Sequence, residues 1–423
     1  MDMPELARLP EVRRARRILR ESDPETIADM IELTEIPSPP FGEAARARRI
    51  RERFLELGVR DVTIDEVGNV LARLPDPAAA PDGAGGSGPA GSDPPVDEAA
   101  PVLVAAHLDT VFPAETDVTV RRRDGRLCGP GIADNGRGLA VLLALARALT
   151  AAGIVPRRPI VLAATVGEEG AGDLRGVKHL FREGSPWRRA AAFIALDGTG
   201  RRRIINRAIG SRRLRAVVTG RGGHSWADWG RANPIHALGI AVAEIARHTP
   251  PREPRTTFSV GRIAGGTSVN AIPAEAWLEI DIRSEGAAAL AELERRIRDT
   301  IRAATREVNA RRRRSTPALE LRIEVIGDRP SAEMPATAPL VAIARAATRS
   351  IGETPELVAS STDANIPMAL GIPSITLGAG GVSAGTHTLH EWYDNRGGPD
   401  GAERVLLTVL GAAGIRSTGD GTG

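Results

Sequence analysis

One cysteine, Cys128, in a chain of 423 residues excludes an intramolecular disulfide framework and fits a reducing compartment. Aromatic side chains are scarce, at 3%. None is interleaved with the densest basic runs, Arg121–Arg123, Arg201–Arg203 and Arg311–Arg314, so the base-stacking platforms of single-strand binders are missing there. A strong net charge is missing too. The 56 basic and 53 acidic residues leave only +3, and the arginine runs read as solvated loops and helix faces. No stretch approaches the ~18 apolar residues of a membrane-spanning helix. The opening segment, MDMPELARLPEVRRARR, has no apolar signal-peptide region. These absences lead us to expect a cytoplasmic protein with neither nucleic acid nor membrane as partner.

What remains is ordinary globular composition, 42% hydrophobic and 26% charged, and enough length for two or more domains. Residues 10–58 read as helices, with a start at Ser22-Asp23-Pro24-Glu25 and a break at Pro37, Pro39 and Pro40. Residues 62–74 read as a strand pair around Gly68-Asn69. The Pro/Gly/Ala/Ser-rich residues 75–100 carry almost no large apolar side chain. They cannot bury enough surface to offset their ordering entropy, so a flexible insertion between two strands is expected there. From Asp134 to about Arg207 helices and strands alternate as in a doubly wound sheet. The pattern then changes to strand 211–220, helix 233–248, strands 257–263 and 275–282, helix 287–309 and strand 318–325. That β-α-β-β-α-β order is ferredoxin-like. From about Gly327 the first pattern resumes, with helix 338–350, strand 372–377 and a closing helix at 401–413; residues 417–423 are expected to fray. The expected fold class is therefore α/β: a doubly wound, mostly parallel domain built from residues 1–207 and 327–423, with an inserted α+β ferredoxin-like domain at 208–326.

Acidic and imidazole side chains recur where the expected strands stop. Pro101–Ala106 runs into His107-Leu108-Asp109, and Pro159–Val166 into Gly167-Glu168-Glu169-Gly170. Ala191–Leu196 runs into Asp197-Gly198, and Ile372–Leu377 leads through a glycine-rich loop to His387. Between them, Gly129–Gly136 is a glycine-bracketed turn that opens a helix and carries Asp134. In open α/β sheets ligands gather beyond the carboxyl ends of the strands. Zinc takes imidazole nitrogen and carboxylate oxygen and leaves a position for water; a two-metal site adds a bridging carboxylate. The chain offers His107, Asp134, Glu169, Asp197 and His387 as ligands and Glu168 as a spare acid. Asp109 is placed to accept the other N–H of His107 and fix its tautomer. Each motif alone has a bland reading as a loop pair or a helix cap, and it is their joint occurrence that points to a two-metal hydrolase. His179, His236 and His248 fall inside helices with no partner pattern and read as surface or packing residues.

On these motifs, together with Gly222-Gly223-His224-Ser225, Ser268–Pro273 and His387-x-x-x-Glu391, the chain resembles a family of dizinc exopeptidases and deacylases. That family includes peptidase T, carboxypeptidase G, acetylornithine deacetylase and succinyl-diaminopimelate desuccinylase. The resemblance covers about residues 25–415 and is nearest to the peptidase T-like members through Thr165–Leu180, Ser361–Pro367 and Gly380–Asp394. It implies two zinc ions, with cobalt or manganese as substitutes. His107 and Asp197 would hold one, Glu169 and His387 the other, and Asp134 would bridge, with Glu168 as general base. The family spacing selects His387 over His390, which would line the pocket. Many members carry Asp where this chain has Asn135, a position that shapes the turn, often with a cis peptide. The resemblance further implies that the larger domain is catalytic and the inserted one a lid that also forms a homodimer interface. His224 would reach a neighbouring active site as an oxyanion donor, and Asn270 would help hold substrate. Arg283 would bind a substrate carboxylate, or equally form a structural ion pair. The expected substrate is a di- or tripeptide cleaved from its amino end; the alternative is an N-acyl amino acid.

Overall fold

The computed structural model describes residues 2–74 and 99–416. The insertion expected at 75–100 lies outside these residues except for Ala99 and Ala100, as do residues 417–423. The chain divides into two compact units, one of residues 1–207 and 333–423, the other of 208–332.

The larger unit is built on one mixed sheet. Strands β1 (Asp61–Ile64) and β2 (Val70–Arg73) form an antiparallel hairpin at its edge. β3 (Val102–His107) is buried at every position, as a strand covered on both faces must be, which is why it reads as one unbroken apolar run. A short ribbon, β4 (Arg121–Arg123) and β5 (Arg126–Cys128), precedes the turn at 129–136 and the helix Arg137–Ala152. Then come β6 (Ile160–Thr165), β7 (Ala192–Leu196) and β8 (Arg203–Ala208). The helix Arg137–Ala152 is buried nearly all round, and its leucines and alanines belong to the main core with the apolar stripe of the helix Pro10–Glu21.

The smaller unit contains β9 (Gly210–Thr219), β10 (Gly223–His224), β11 (Thr256–Gly265), β12 (Ala271–Ile272), β13 (Glu275–Ser284) and β14 (Glu320–Arg329). Its antiparallel sheet has the order β11-β13-β9-β14, and the helices Pro234–Ile245 and Ala287–Arg311 share a core with it. The glycine taken as the start of the next domain, Gly327, is instead a bulge within β14, where the register with β9 shifts between Val325 and Gly327. The strand runs on to Arg329, which moves the division from 326 to 332.

The larger unit resumes at Glu333, the end of β15 (Ala332–Glu333), and continues with β16 (Glu356–Ser360), β17 (Ser374–Leu377), β18 (Val382–Ala384) and β19 (Trp392–Asp394). Its sheet order is β1-β2-β6-β3-β7-β17-β8-β15, with β16 also paired to β8, and β6, β3, β7 and β17 are mutually parallel. The four carboxyl ends therefore point to one rim. A second sheet, β18-β19-β5-β4, was not expected from the sequence. Its strands are three residues each, too short for an alternation to register.

Candidate metal centre

The parallel register sets the strand ends level: His107 pairs with Thr165, and Leu377 with Leu196. His107 closes β3, Glu168 and Glu169 follow β6, and Asp197 follows β7. Asp134 comes from the turn between β5 and the buried helix. Gly131 there is left-handed, at φ 78°, and a Cβ on it would stand 2.7 Å from the Thr110 side chain. The Asp134–Asn135 peptide is cis. Asn135 is fully buried, donates from Nδ2 to the Leu196 carbonyl (2.8 Å) and accepts from the Gly138 N–H (3.1 Å). An aspartate at this position would lack the donor for Leu196, so the asparagine has its own fit. From the far end of the chain, the Glu391 carboxylate accepts the N–H groups of Gly131, Ala133 and Asp134 at 3.0, 2.8 and 3.0 Å.

These elements bring four of the expected ligands into contact through the fifth. His107 Nε2 lies 3.0 Å from Asp134 Oδ1 and 3.9 Å from Asp197 Oδ1. His387 Nε2 lies 3.2 Å from Asp134 Oδ2 and 2.9 Å from Glu169 Oε1. Asp134 thus presents one oxygen to each imidazole. Ligand atoms of His107, Asp134 and Glu169 all fall within 4.8 Å of one another. His387 holds a left-handed backbone, φ 65°, unusual for a non-glycine residue.

Asp109 does otherwise than expected. The partner of His107 Nδ1 is the Asp109 main-chain oxygen, at 3.0 Å, while the carboxylate stands 3.7 Å away. That carboxylate instead accepts the N–H groups of Glu168 (2.9 Å) and Glu169 (2.7 Å). It still fixes the imidazole, but by the main chain, and its side chain shapes the Glu168-Glu169 turn.

The charges of the cluster favour positive charge among its carboxylates. Burial depresses His107, yet the carboxylates of Asp109, Asp134 and Asp197 outweigh it and hold this imidazole well above its usual range. Asp134 and Glu169 lift His387 to about 10. Burial opposes ionisation of Asp134, but the two histidines keep its carboxyl below the ordinary range. Burial raises Asp197, and the neighbouring Asp134 adds to it. The imidazole nitrogens that carry these protons are the atoms a divalent ion would take. The mixture of neutral imidazole and carboxylate donors is the set zinc prefers, so the residues fit a metal.

Two buried acids behind the cluster were not singled out by sequence. Glu391 entered only as a spacing marker for His387. Burial pushes it up to about 7 against the pull of its three N–H donors. Asp363 accepts from Thr165 Oγ1 at 2.5 Å and is buried within reach of the charges on His107, Asp109 and Asp197; burial lifts it to about 6. Its only sequence signal was an acid within the otherwise uncharged Ser361–Pro367 segment. His390, four residues after Thr386 in an exposed loop, has an exposed side chain.

The remaining expected residues lie in the smaller unit. His224 is exposed, and its Nδ1 accepts the N–H groups of Trp226 (3.2 Å) and Ala227 (3.3 Å). In the neutral ring this network assigns the proton to Nε2. Asn270 is its neighbour, because β10 pairs with β12 (His224 opposite Ala271), and Asn270 Oδ1 accepts from Ser268 Oγ at 2.6 Å. Arg283 forms an ion pair with Asp281 at 2.7 Å.

A family model described as peptidase family M20/M25/M40 matches residues 103–410. Among solved structures, aminopeptidase PepT from Bacillus cereus is similar at 24% identity and TM-score 0.69, over 92% of this chain and 98% of that one. A tripeptidase from Staphylococcus aureus is 23% identical, with TM-score 0.71 and the same coverage. The di-peptidase Dug1p from Saccharomyces cerevisiae is 16% identical, with TM-score 0.68, over 95% and 98%. At these identities the structural likeness speaks for the fold.

Proposed function

The chain belongs to peptidase family M20/M25/M40, a family of metal-dependent hydrolases, and from that premise we propose that it is a dinuclear-zinc hydrolase of small peptides, of the di- or tripeptide aminopeptidase type. The observation that carries the two-metal reading is the Asp134 carboxylate, with one oxygen toward His107 and the other toward His387. His107 and Asp197 would hold one ion and Glu169 and His387 the other, with Asp134 shared. When bound, a metal pair lowers the pKa of a water and polarises the scissile carbonyl.

The chain's own residues supply the rest. Glu168 is buried beside Glu169, its main chain pinned by Asp109. It takes the proton from the attacking water and returns it to the leaving amine. His224, with its proton on Nε2, would donate to the oxyanion, and Asn270 beside it would help hold the substrate. Support for peptides as substrates comes from the family's name and from similar folds described as an aminopeptidase, a tripeptidase and a di-peptidase. We place the enzyme in the cytoplasm, as a homodimer through residues 208–332.

The test is a panel of di- and tripeptides with free or blocked amino ends, beside N-acetyl and N-succinyl amino acids, assayed with zinc or cobalt and with Glu168→Gln as control. Cleavage confined to free-amine peptides is expected. Cleavage of the acyl compounds alone would make the chain an N-acyl-amino-acid amidohydrolase with the same site.

A further inference from the structure

The ribbon β4–β5 has two unlike faces. Leu127 and Tyr393 point inward and are buried in a small core with Ile132 and Ala133. Arg121 lies opposite Cys128, and Cys128 opposite Trp392. By the two-residue period of a strand, Arg121, Arg123, Cys128 and Trp392 therefore share the outer face. That face borders a cavity of about 380 Å³ whose lining includes Arg121, Arg123, Cys128, Gly129, Pro130 and Leu389.

The walls of this cavity are parts of the ligand-bearing loops. Gly129 and Pro130 lead into the turn that carries Asp134, and the Gly129 N–H donates to the Glu391 carbonyl at 3.1 Å. Leu389 follows His387 by two residues, a separation of at most ~7 Å. An extended peptide advances ~3.4 Å per residue. The end of a tripeptide whose scissile amide lies at the metal ligands is thus ~7 Å away, the span that separates Leu389 from His387.

Its charge is positive and partly uncommitted. Arg121 is paired at 2.8 Å with Asp117, which also lines the cavity. Arg126 stacks over Trp392, 3.9 Å from the ring centre. Among the described residues no ion pair engages Arg123, and it is exposed. A guanidinium offers a planar fork of donors matched to a carboxylate. We infer that this cavity is a subsite for a carboxylate of the substrate, with Arg123 as its specificity residue. The inference rests on the peptide-hydrolase reading above. It places this recognition in the larger unit.

The experiment uses zinc-loaded full-length enzyme and a tripeptide series with Glu or the isosteric Gln at each position, each with a free or amidated carboxyl end. For the parent enzyme, either a Glu-over-Gln ratio of kcat/KM of at least ~10-fold at one position or a comparable loss on amidation is expected, as a charge-assisted fork requires. Arg123→Gln should bring that ratio below ~3-fold. The ratio is internal to each variant, so a general loss of activity does not mimic it. An effect of amidation assigns the site to the terminal carboxylate; a Glu-over-Gln ratio that survives amidation assigns it to a side chain. Cys128, the sole cysteine, gives a second readout: the acidic peptide should slow its alkylation by iodoacetamide more than the Gln peptide does. Cleavage of all peptides with ratios near one, no effect of amidation and no difference in protection would overturn the subsite. Protection by the acidic peptide without cleavage of any peptide would uphold the subsite and sink the peptide-hydrolase reading. Neither cleavage nor protection would overturn both.

Discussion

Glu168 and Glu169 are adjacent in sequence, and Glu169 lies in hydrogen-bond range of His387, at 2.9 Å. One turn separates a ligand from a base, and the Asp109 carboxylate on both main-chain N–H groups sets that turn. Glu168→Gln should keep its metal and lose ~10²–10⁴-fold in kcat, the usual worth of a positioned acid–base group, as metal analysis beside steady-state rates will show. Glu391→Ala would strand three N–H groups on the Asp134 turn. A ~10–100-fold loss of metal affinity in a competition titration is expected, as for other residues that orient ligands. Asp363 carries a pH prediction. Its carboxyl is raised to about 6 in the folded chain, against ~3.9 unfolded, so folded protein keeps a proton that unfolded protein has released. Stability from this group is full below pH ~4 and falls as pH rises through about 6, by on the order of 2–3 kcal/mol. In metal-free protein the Tm advantage of Asp363→Asn over the parent should therefore grow from pH 4 to 7 and then level off. An advantage flat across that range would refute it.

At the level of elements, what the sequence announced and what it hid follow from burial. β3, β6 and β7 are buried at every position, so they read as apolar runs and their ends exposed the ligand pattern. The inserted unit was legible because its strands and helices keep one buried face each. The β18-β19-β5-β4 sheet was hidden because β4 is three exposed arginines in a row and its neighbours come from the far end of the chain. Arg46 was hidden in an arginine-rich helix, Ala44–Glu56. It is fully buried and donates to the carbonyls of Leu108 (2.7 Å) and Ile36 (2.6 Å), tying that helix to the end of β3. No periodicity distinguishes it from the arginines that face water. Arg46→Met should lower Tm, with a cost of ~2–4 kcal/mol from carbonyls left without donors. Gly401 is a second such point: a Cβ there would stand 2.2 Å from Gly380 Cα, in the loop that leads to His387. Gly401→Ala should cost ~1–3 kcal/mol through overpacking, with thermal unfolding as the measure.

For the molecule as a whole, all the proposed metal ligands belong to one of the two compact units. The other has its own apolar core, formed by the helices Pro234–Ile245 and Ala287–Arg311 and the sheet beneath them. Metal binding should stabilise only the unit that holds it, by ~4 kcal/mol when free metal exceeds its dissociation constant a thousandfold. Calorimetry with and without chelator should therefore move one unfolding transition to lower temperature and leave a second in place. A common shift of a single transition would show that the units unfold together.

The Asp134 turn depends on a residue 257 positions downstream, Glu391, which holds its main chain. His387, at the left-handed corner before it, is separated from Glu169 by 218 positions. A ribosome making this chain joins His107, Asp134, Glu169 and Asp197 at least 190 residues before it reaches His387, counting from position 197 to position 387. The nascent protein can therefore shape most of its parallel sheet early, but neither the clamp on Asp134 nor the partner of Glu169 exists until His387 and Glu391 have been added. Truncation of the message just ahead of His387 leaves a chain with most of its core and an incomplete ligand set.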